Sequence, residues 1–215
     1  MLTLARYLYK TIFPAESRVR VVMLGLDKSG KTYLRKTFQR RILKTNLLSE
    51  GDDNEEDDKV YIPTTGYEQV GGVYKNISWS ISDLGGREKA QNGWKNYYYD
   101  AHIIVWCIDG TDPDRLEESA STFSEMVLSD TQLEMCAFCF VVTCSGSCGD
   151  AKKLAVTEKG VEKHFHVKSL APDHDVVVLM NPSIFQLSEW LVKTKKESPK
   201  MEQRTEIVKQ QELTL

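Results

Sequence analysis

The sequence predicts an α/β fold: a doubly wound, six-stranded, mostly parallel sheet with helices on both faces. Three observations predict it. Apolar runs such as "HIIVWCID" and "CAFCFVV" are continuous rather than alternating, as in strands buried on both faces. Stretches of helical spacing alternate with them along the chain. One glycine-rich turn, "GLDKSGKT", joins the first strand directly to the first helix.

In chain order, "MLTLARYLYKTIF" places Met1, Leu4, Ala5, Leu8 and Ile12 on one helical face, so residues 1–16 are predicted to form an amphipathic helix. It suits either docking on its own domain or contact with a membrane surface or partner. Leu2 stands where N-myristoylation needs glycine. "RVRVVMLG" predicts a strand, and "KTYLRKTFQRRIL" the helix after the turn. Residues 49–59 form an acidic insertion whose first ten residues, "SEGDDNEEDD", hold seven carboxylates; such a block repels itself and predicts a solvated loop. "YEQVGGVYKNISWSIS" predicts an antiparallel strand pair. "PDRLEESASTFSEMVL" and "AKKLAVTEKGVEKHF" have helical spacing, "DVVVLM" reads as a strand, and "SIFQLSEWLVKTKK" closes a domain spanning 17–197. Pro199 ends that helix, and residues 198–215 form a charged tail or a separate helix.

Composition narrows the function. A net charge of −3 gives no pull toward nucleic acid, and no apolar run approaches the roughly 20 residues that span a bilayer. Five cysteines and no secretory leader predict a reducing, cytoplasmic setting. Cys136, Cys139, Cys144 and Cys148 have zinc-like spacing, but Cys136 and Cys139, three apart on a strand, point to opposite faces and predict core residues instead. The four histidines lack ligand spacing with acidic neighbours.

"GLDKSGKT", from Gly25 to Thr32, fits G-x-x-x-x-G-K-[ST], the P-loop. Gly25 and Gly30 let the backbone bend so that N–H groups across Leu26, Asp27, Lys28 and Ser29 face phosphate oxygens. The helix N-terminus adds its positive end. Lys31 brings a point charge toward the β- and γ-phosphates, and the Thr32 hydroxyl is a Mg²⁺ ligand.

With "PTTGY" at 63–67, "YKNIS" at 74–78, "DLGG" at 83–86 and "WKNYY" at 94–98, the chain resembles the Arf and Arf-like small GTPases over roughly residues 18–195. The "WKNYY" string and the charged C-terminal extension resemble the cilium-associated Arf-like branch, which implies a ciliary or membrane-associated setting. The resemblance implies GTP/GDP and Mg²⁺ as ligands and protein effectors, or a larger assembly, meeting the switch regions. It makes Thr64 the switch threonine that senses the γ-phosphate through Mg²⁺. It has Asp83 hold a Mg²⁺-bound water, Gly86 offer its N–H to the γ-phosphate, and Asp27 lie near the terminal phosphate.

Three departures qualify this. Arg87 stands where the family carries the glutamine that aims the attacking water. A guanidinium has only donors, so hydrolysis is expected to be slow or absent. The guanine-reading N-K-x-D is replaced by Thr143, Cys144, Ser145 and Gly146, with Asp150 four residues late; Asn181 in "MNPS" still offers an amide to the base. The family's effector-facing aromatic trio becomes Tyr67, Ser82 and Tyr97. Trp79, Trp94, Tyr98 and Tyr99 are expected in the core. Two readings stay open: a Mg²⁺-dependent GTP-binding switch with weak hydrolysis, and a nucleotide-locked or nucleotide-free pseudo-GTPase serving as an interaction module.

Overall fold

A computed structural model describes residues 18–43, 66–144 and 154–214, with side chains through residue 210. The elements are β1 (Arg18–Leu24), α1 (Lys31–Arg41), β2 (Tyr67–Tyr74), β3 (Ile77–Leu84), α2 (Glu88–Gln91), α3 (Lys95–Tyr98) and β4 (Ile103–Asp109). There follow α4 (Leu116–Phe123), β5 (Ala137–Thr143), α5 (Glu158–His164), α6 (Val167–Leu170), β6 (Val176–Met180), α7 (Ile184–Glu197) and α8 (Pro199–Thr214).

The six strands form one sheet in the order β2-β3-β1-β4-β5-β6. Only β2 runs antiparallel, paired with β3; every other neighbour is parallel. The first six residues of β4 and of β5 are buried, which explains their unbroken apolar runs; all eight residues of β3 are buried too, although Ser78, Ser80 and Ser82 alternate with apolar side chains along it. After β1 the chain crosses to the edge strand β2 and returns as β3 beside β1, and then crosses to β4 on the other side of β1. The carboxyl end of β1 is therefore the topological switch point, where crevices form in such sheets.

Each face of the sheet carries a core. Val19, Val21 and Met23 pack with Phe38 of α1 and Leu187 and Leu191 of α7. Val22, Leu24, Trp106 and Phe140 pack with Phe123 of α4, Val161 of α5 and Trp94. Cys136 belongs to the second core and Cys139 to the first, on opposite faces as their spacing requires. Burial pushes the Cys136 thiol up to about 12, so it packs as a neutral hydrophobe. Trp79, Trp94 and Tyr98 are buried and Tyr99 partly so.

Two elements differ from expectation, and the open alternative at the C-terminus resolves to a helix. Where the pattern predicts a helix from Ala151, the described helix starts at Glu158. Thr157 caps it through Gly160 N–H at 3.1 Å, and the N–H groups of Ala155 and Val156 both go to the Gly110 carbonyl instead. The helix predicted over 113–128 opens as a 3₁₀ turn (Pro113–Arg115) and ends in a π turn (Ser124–Leu128). Residues 199–214 are a helix, α8, beginning at Pro199 after Ser198.

Arg204 fixes α8 to the floor of the sheet. It is fully buried, and its guanidinium donates to the carbonyls of Ala101 (2.7 Å), Tyr99 (2.9 Å), Gln132 (2.6 Å) and Glu134 (3.3 Å). A planar fork of donors satisfies carbonyls from two chain segments, the one leading into β4 and the one leading into β5. The predicted amphipathic helix at 1–16 and the acidic insertion at 49–59 lie outside the described residues. Among the described residues, no helix is long and apolar enough to cross a membrane.

Candidate functional site

The turn after β1 is shaped by two glycines. Gly25 has φ 133° and Gly30 φ 77°, left-handed conformations that L side chains resist. Space forbids a side chain as firmly: a Cβ at Gly25 would lie 2.3 Å from the Cys107 carbonyl, and one at Gly30 would lie 3.0 Å from the Thr143 hydroxyl. The loop is therefore pressed onto the ends of β4 and β5.

Lys31 opens α1 and folds back beneath the loop. It is buried, and its Nζ donates to the carbonyls of Gly25 (2.9 Å) and Leu26 (2.6 Å) and to Ser29 Oγ (3.2 Å). Burial pulls its pKa down, opposed by the nearby acids Asp83 and Asp27. The next residue of α1, Thr32, donates its hydroxyl hydrogen to Asp83 Oδ2 at 2.7 Å. Asp83 is fully buried, and its Oδ1 has no hydrogen-bond partner among the described residues. Burial raises its pKa, against the Thr32 bond and the charges of Lys31 and Arg35. An orphaned carboxylate oxygen beside a threonine hydroxyl is a hard-oxygen donor set, and it fits Mg²⁺.

Gly86 closes the cup. A Cβ there would strike Asp27 N and Leu26 C at 2.5 Å, so the "DLGG" turn lies directly on the phosphate loop. The turn is held from behind: Trp94 Nε1 donates to Gly85 O and Gln91 Nε2 to Gly86 O, both at 2.9 Å. Asp27 faces this junction with its carboxylate engaged. Arg115 donates to Asp27 Oδ1 at 2.9 Å and to Asp27 O at 3.2 Å, while its Nε binds Glu118 at 2.9 Å. Those two acids, Glu118 foremost, raise the Arg115 pKa further. Arg87, one residue past Gly86, is exposed and leads into α2.

The structure thus brings Gly25, Leu26, Asp27, Lys28, Ser29, Gly30, Lys31, Thr32, Asp83 and Gly86 together at one strand-end crevice. Thr64 lies outside the described residues, as do Ser145, Gly146 and Asp150. Asn181 sits at the end of β6, exposed, with φ 42° and its N–H bonded to Val142 O at 2.7 Å. Thr143, at the end of β5, lies 3.1 Å from Ser29 O and 3.2 Å from Ile108 O and shares its hydroxyl hydrogen between them. It tethers the phosphate loop to the sheet but offers no carboxylate to a base.

Sequence reasoning missed Arg35 and Arg115, and it read Thr143 only as a lost base-reading position, not as the tether of the loop. Arg35 of α1 is buried; it pairs with Glu68 of β2, and its Nε lies 3.8 Å from Asp83 Oδ2. No local pattern marks these residues, because their partners are far away in the chain. On the outer surface, Tyr67 and Tyr97 stack with ring centroids 4.8 Å apart, both exposed. Ser82, on β3 beside the strand of Tyr67, is buried.

The sequence matches the ADP-ribosylation factor family over residues 5–194. It is 36% identical over 118 residues to the ADP-ribosylation factor-like protein alp41 of Schizosaccharomyces pombe, covering 55% of each chain. It is 30% identical over 120 residues to ADP-ribosylation factor K of Dictyostelium discoideum, covering 56% of each. The chain thus spans about half the length of the curated relatives it matches. The solved structure of the Arl6 BBS3 small GTPase from Trypanosoma brucei, with bound nucleotide analogue GppNp, superposes with a TM-score of 0.61 at 21% identity, covering 82% of this chain and 96% of that one. At that identity the likeness concerns the fold.

Proposed function

The chain belongs to the ADP-ribosylation factor family, and from that premise we propose that it is a Mg²⁺-dependent guanine-nucleotide switch with very slow hydrolysis. One observation carries the reading: Lys31, the Thr32–Asp83 pair and Gly86 converge on a single cup at the end of β1. In that cup the loop N–H groups and Lys31 bind the phosphates, and Thr32 and Asp83 would hold the metal. Mg²⁺, when bound, neutralises charge on the phosphate oxygens. Gly86 and the turn behind it sense the terminal phosphate, and the displacement is passed through α2 and α3 to the exposed Tyr67–Tyr97 stack, where protein partners would read it.

Slow hydrolysis follows from Arg87. It is exposed rather than packed over the loop, and its donors cannot accept a proton from the attacking water. The test has two steps. Denaturing the purified protein should release GTP or GDP at near one per chain. Single-turnover hydrolysis by Arg87→Gln, with an activating partner, should then exceed wild type by about tenfold or more. An equal rate in the two proteins would remove the slow-hydrolysis part.

A second reading, a nucleotide-free or nucleotide-locked interaction module, is favoured by one feature. The loop is tied from within, with the Lys31 donors and the Thr143 hydroxyl all spent on protein oxygens. An empty purified protein, with no thermal shift on adding Mg²⁺ and GTP, would favour it.

A further inference from the structure

We propose that Arg35 is a resident cation at the metal site, so that this chain holds nucleotide with a weaker demand for Mg²⁺ than Thr32 and Asp83 alone would impose. The inference rests on the nucleotide-binding reading above. Thr32 and Arg35 lie three residues apart on α1, hence on one face, and that face is turned to Asp83. Arg35 is buried, and a buried guanidinium is tolerated only where charge and hydrogen bonds compensate it. Its terminal nitrogens are compensated by Glu68 and by Gln39 Oε1 at 3.2 Å. Its Nε has no hydrogen-bond partner among the described residues, and neither does Asp83 Oδ1. Two oppositely charged buried groups, each with an atom short of a hydrogen bond, therefore stand side by side, with Arg35 Nε 3.8 Å from Asp83 Oδ2, the oxygen that also accepts from Thr32.

The consequence is electrostatic. The positive charge beside Asp83 offsets the carboxylate whether or not a metal is present. A divalent ion arriving at the same carboxylate meets that charge across a buried gap, where solvent and salt screen little. Glu68 sets how strongly Arg35 leans inward. It is half exposed, at the start of β2, and competes with Asp83 for the same guanidinium. A purely structural Arg35–Glu68 pair, joining α1 to the sheet edge, would have no such link to metal affinity.

The two carboxylates give a test with opposite signs. The full chain is loaded with fluorescent mant-GDP, and release is followed while EDTA sets free Mg²⁺. Wild-type release should quicken by less than about threefold between millimolar Mg²⁺ and full chelation. Arg35→Gln should restore a steep dependence, with release quickening about tenfold or more and the Mg²⁺ midpoint moving down. Glu68→Gln frees Arg35 toward Asp83 and should move the midpoint up about threefold. Arg35→Lys, which keeps the charge, should stay close to wild type. Because Glu68 is half exposed, its variant carries the test even where Arg35→Gln fails to fold. Wild-type release quickening tenfold or more on chelation would overturn the proposal, as would both variants moving the midpoint the same way or not at all. Wild-type protein that loads no nucleotide would instead sink the nucleotide-binding reading, and this inference with it.

Discussion

At the phosphate end of the crevice, Gly25 and Gly30 bend the chain, Lys31 braces it, and Thr32 meets Asp83 at 2.7 Å. At the base end, β5 finishes in Thr143, whose hydroxyl is used on Ser29 O and Ile108 O, and Asn181 projects into solvent from the end of β6. The difference is one of materials. Phosphate is met by backbone N–H groups, a helix end and one lysine, so most side chains around the loop are free to vary. A base edge is met by side chains of defined type, and each substitution there removes recognition outright. Thr143 shows that the mechanical task at the end of β5, tethering the phosphate loop, is separable from the task of reading the base.

The sharpest way to break this comparison is Lys31→Ala. It removes the lysine at the proposed phosphate end and leaves the carbonyls of Gly25 and Leu26 without their donor. Triphosphate affinity should fall on the order of 10³-fold, about 4 kcal/mol, in a fluorescent-nucleotide titration. Affinity within a few-fold of wild type would show that the phosphate end is not the anchor.

A second measurement probes the base end. In competition for the loaded site, GTP should still be preferred to ATP, but only on the order of 10²-fold, where a site that pairs a base edge well discriminates by about 10⁴ or more. Discrimination of that larger size would mean the base is read by residues outside those described, and the contrast between the two ends would collapse.

The smallest effect comes from the floor of the sheet, which should leave both ends untouched. His102 is buried, with Nδ1 accepting the Arg20 N–H at 3.2 Å, and burial lowers its pKa from 6.5 to about 3. The unfolded chain binds a proton below pH 6.5 that the folded chain refuses. Stability present above pH 6.5 is therefore lost as pH falls toward 3, at roughly 1.4 kcal/mol per unit. Asn at this position can still accept the Arg20 N–H without titrating. His102→Asn should flatten the fall in Tm between pH 6.5 and 5 while nucleotide affinity stays unchanged. An identical pH slope would show that another group governs acid unfolding.

Much of this molecule is local. Period-two and unbroken apolar patterns place β1 through β6, because a strand buried on both faces needs apolar residues at every position. The loop from Gly25 to Thr32 is legible because its backbone angles admit only glycine at two points. Local pattern also has a limit: the helical spacing from Ala151 onward could not reveal that Ala155 and Val156 would give their N–H groups to Gly110. The charged residues were decided by tertiary structure alone. Arg35 finds Glu68 33 residues away, Arg115 finds Asp27 88 residues away, and Arg204 finds Ala101 103 residues away. A guanidinium in the sequence is compatible with solvent or with burial. Which of the two occurs depends on whether folding brings carboxylates or carbonyls to meet it, and no periodicity along the chain encodes that meeting.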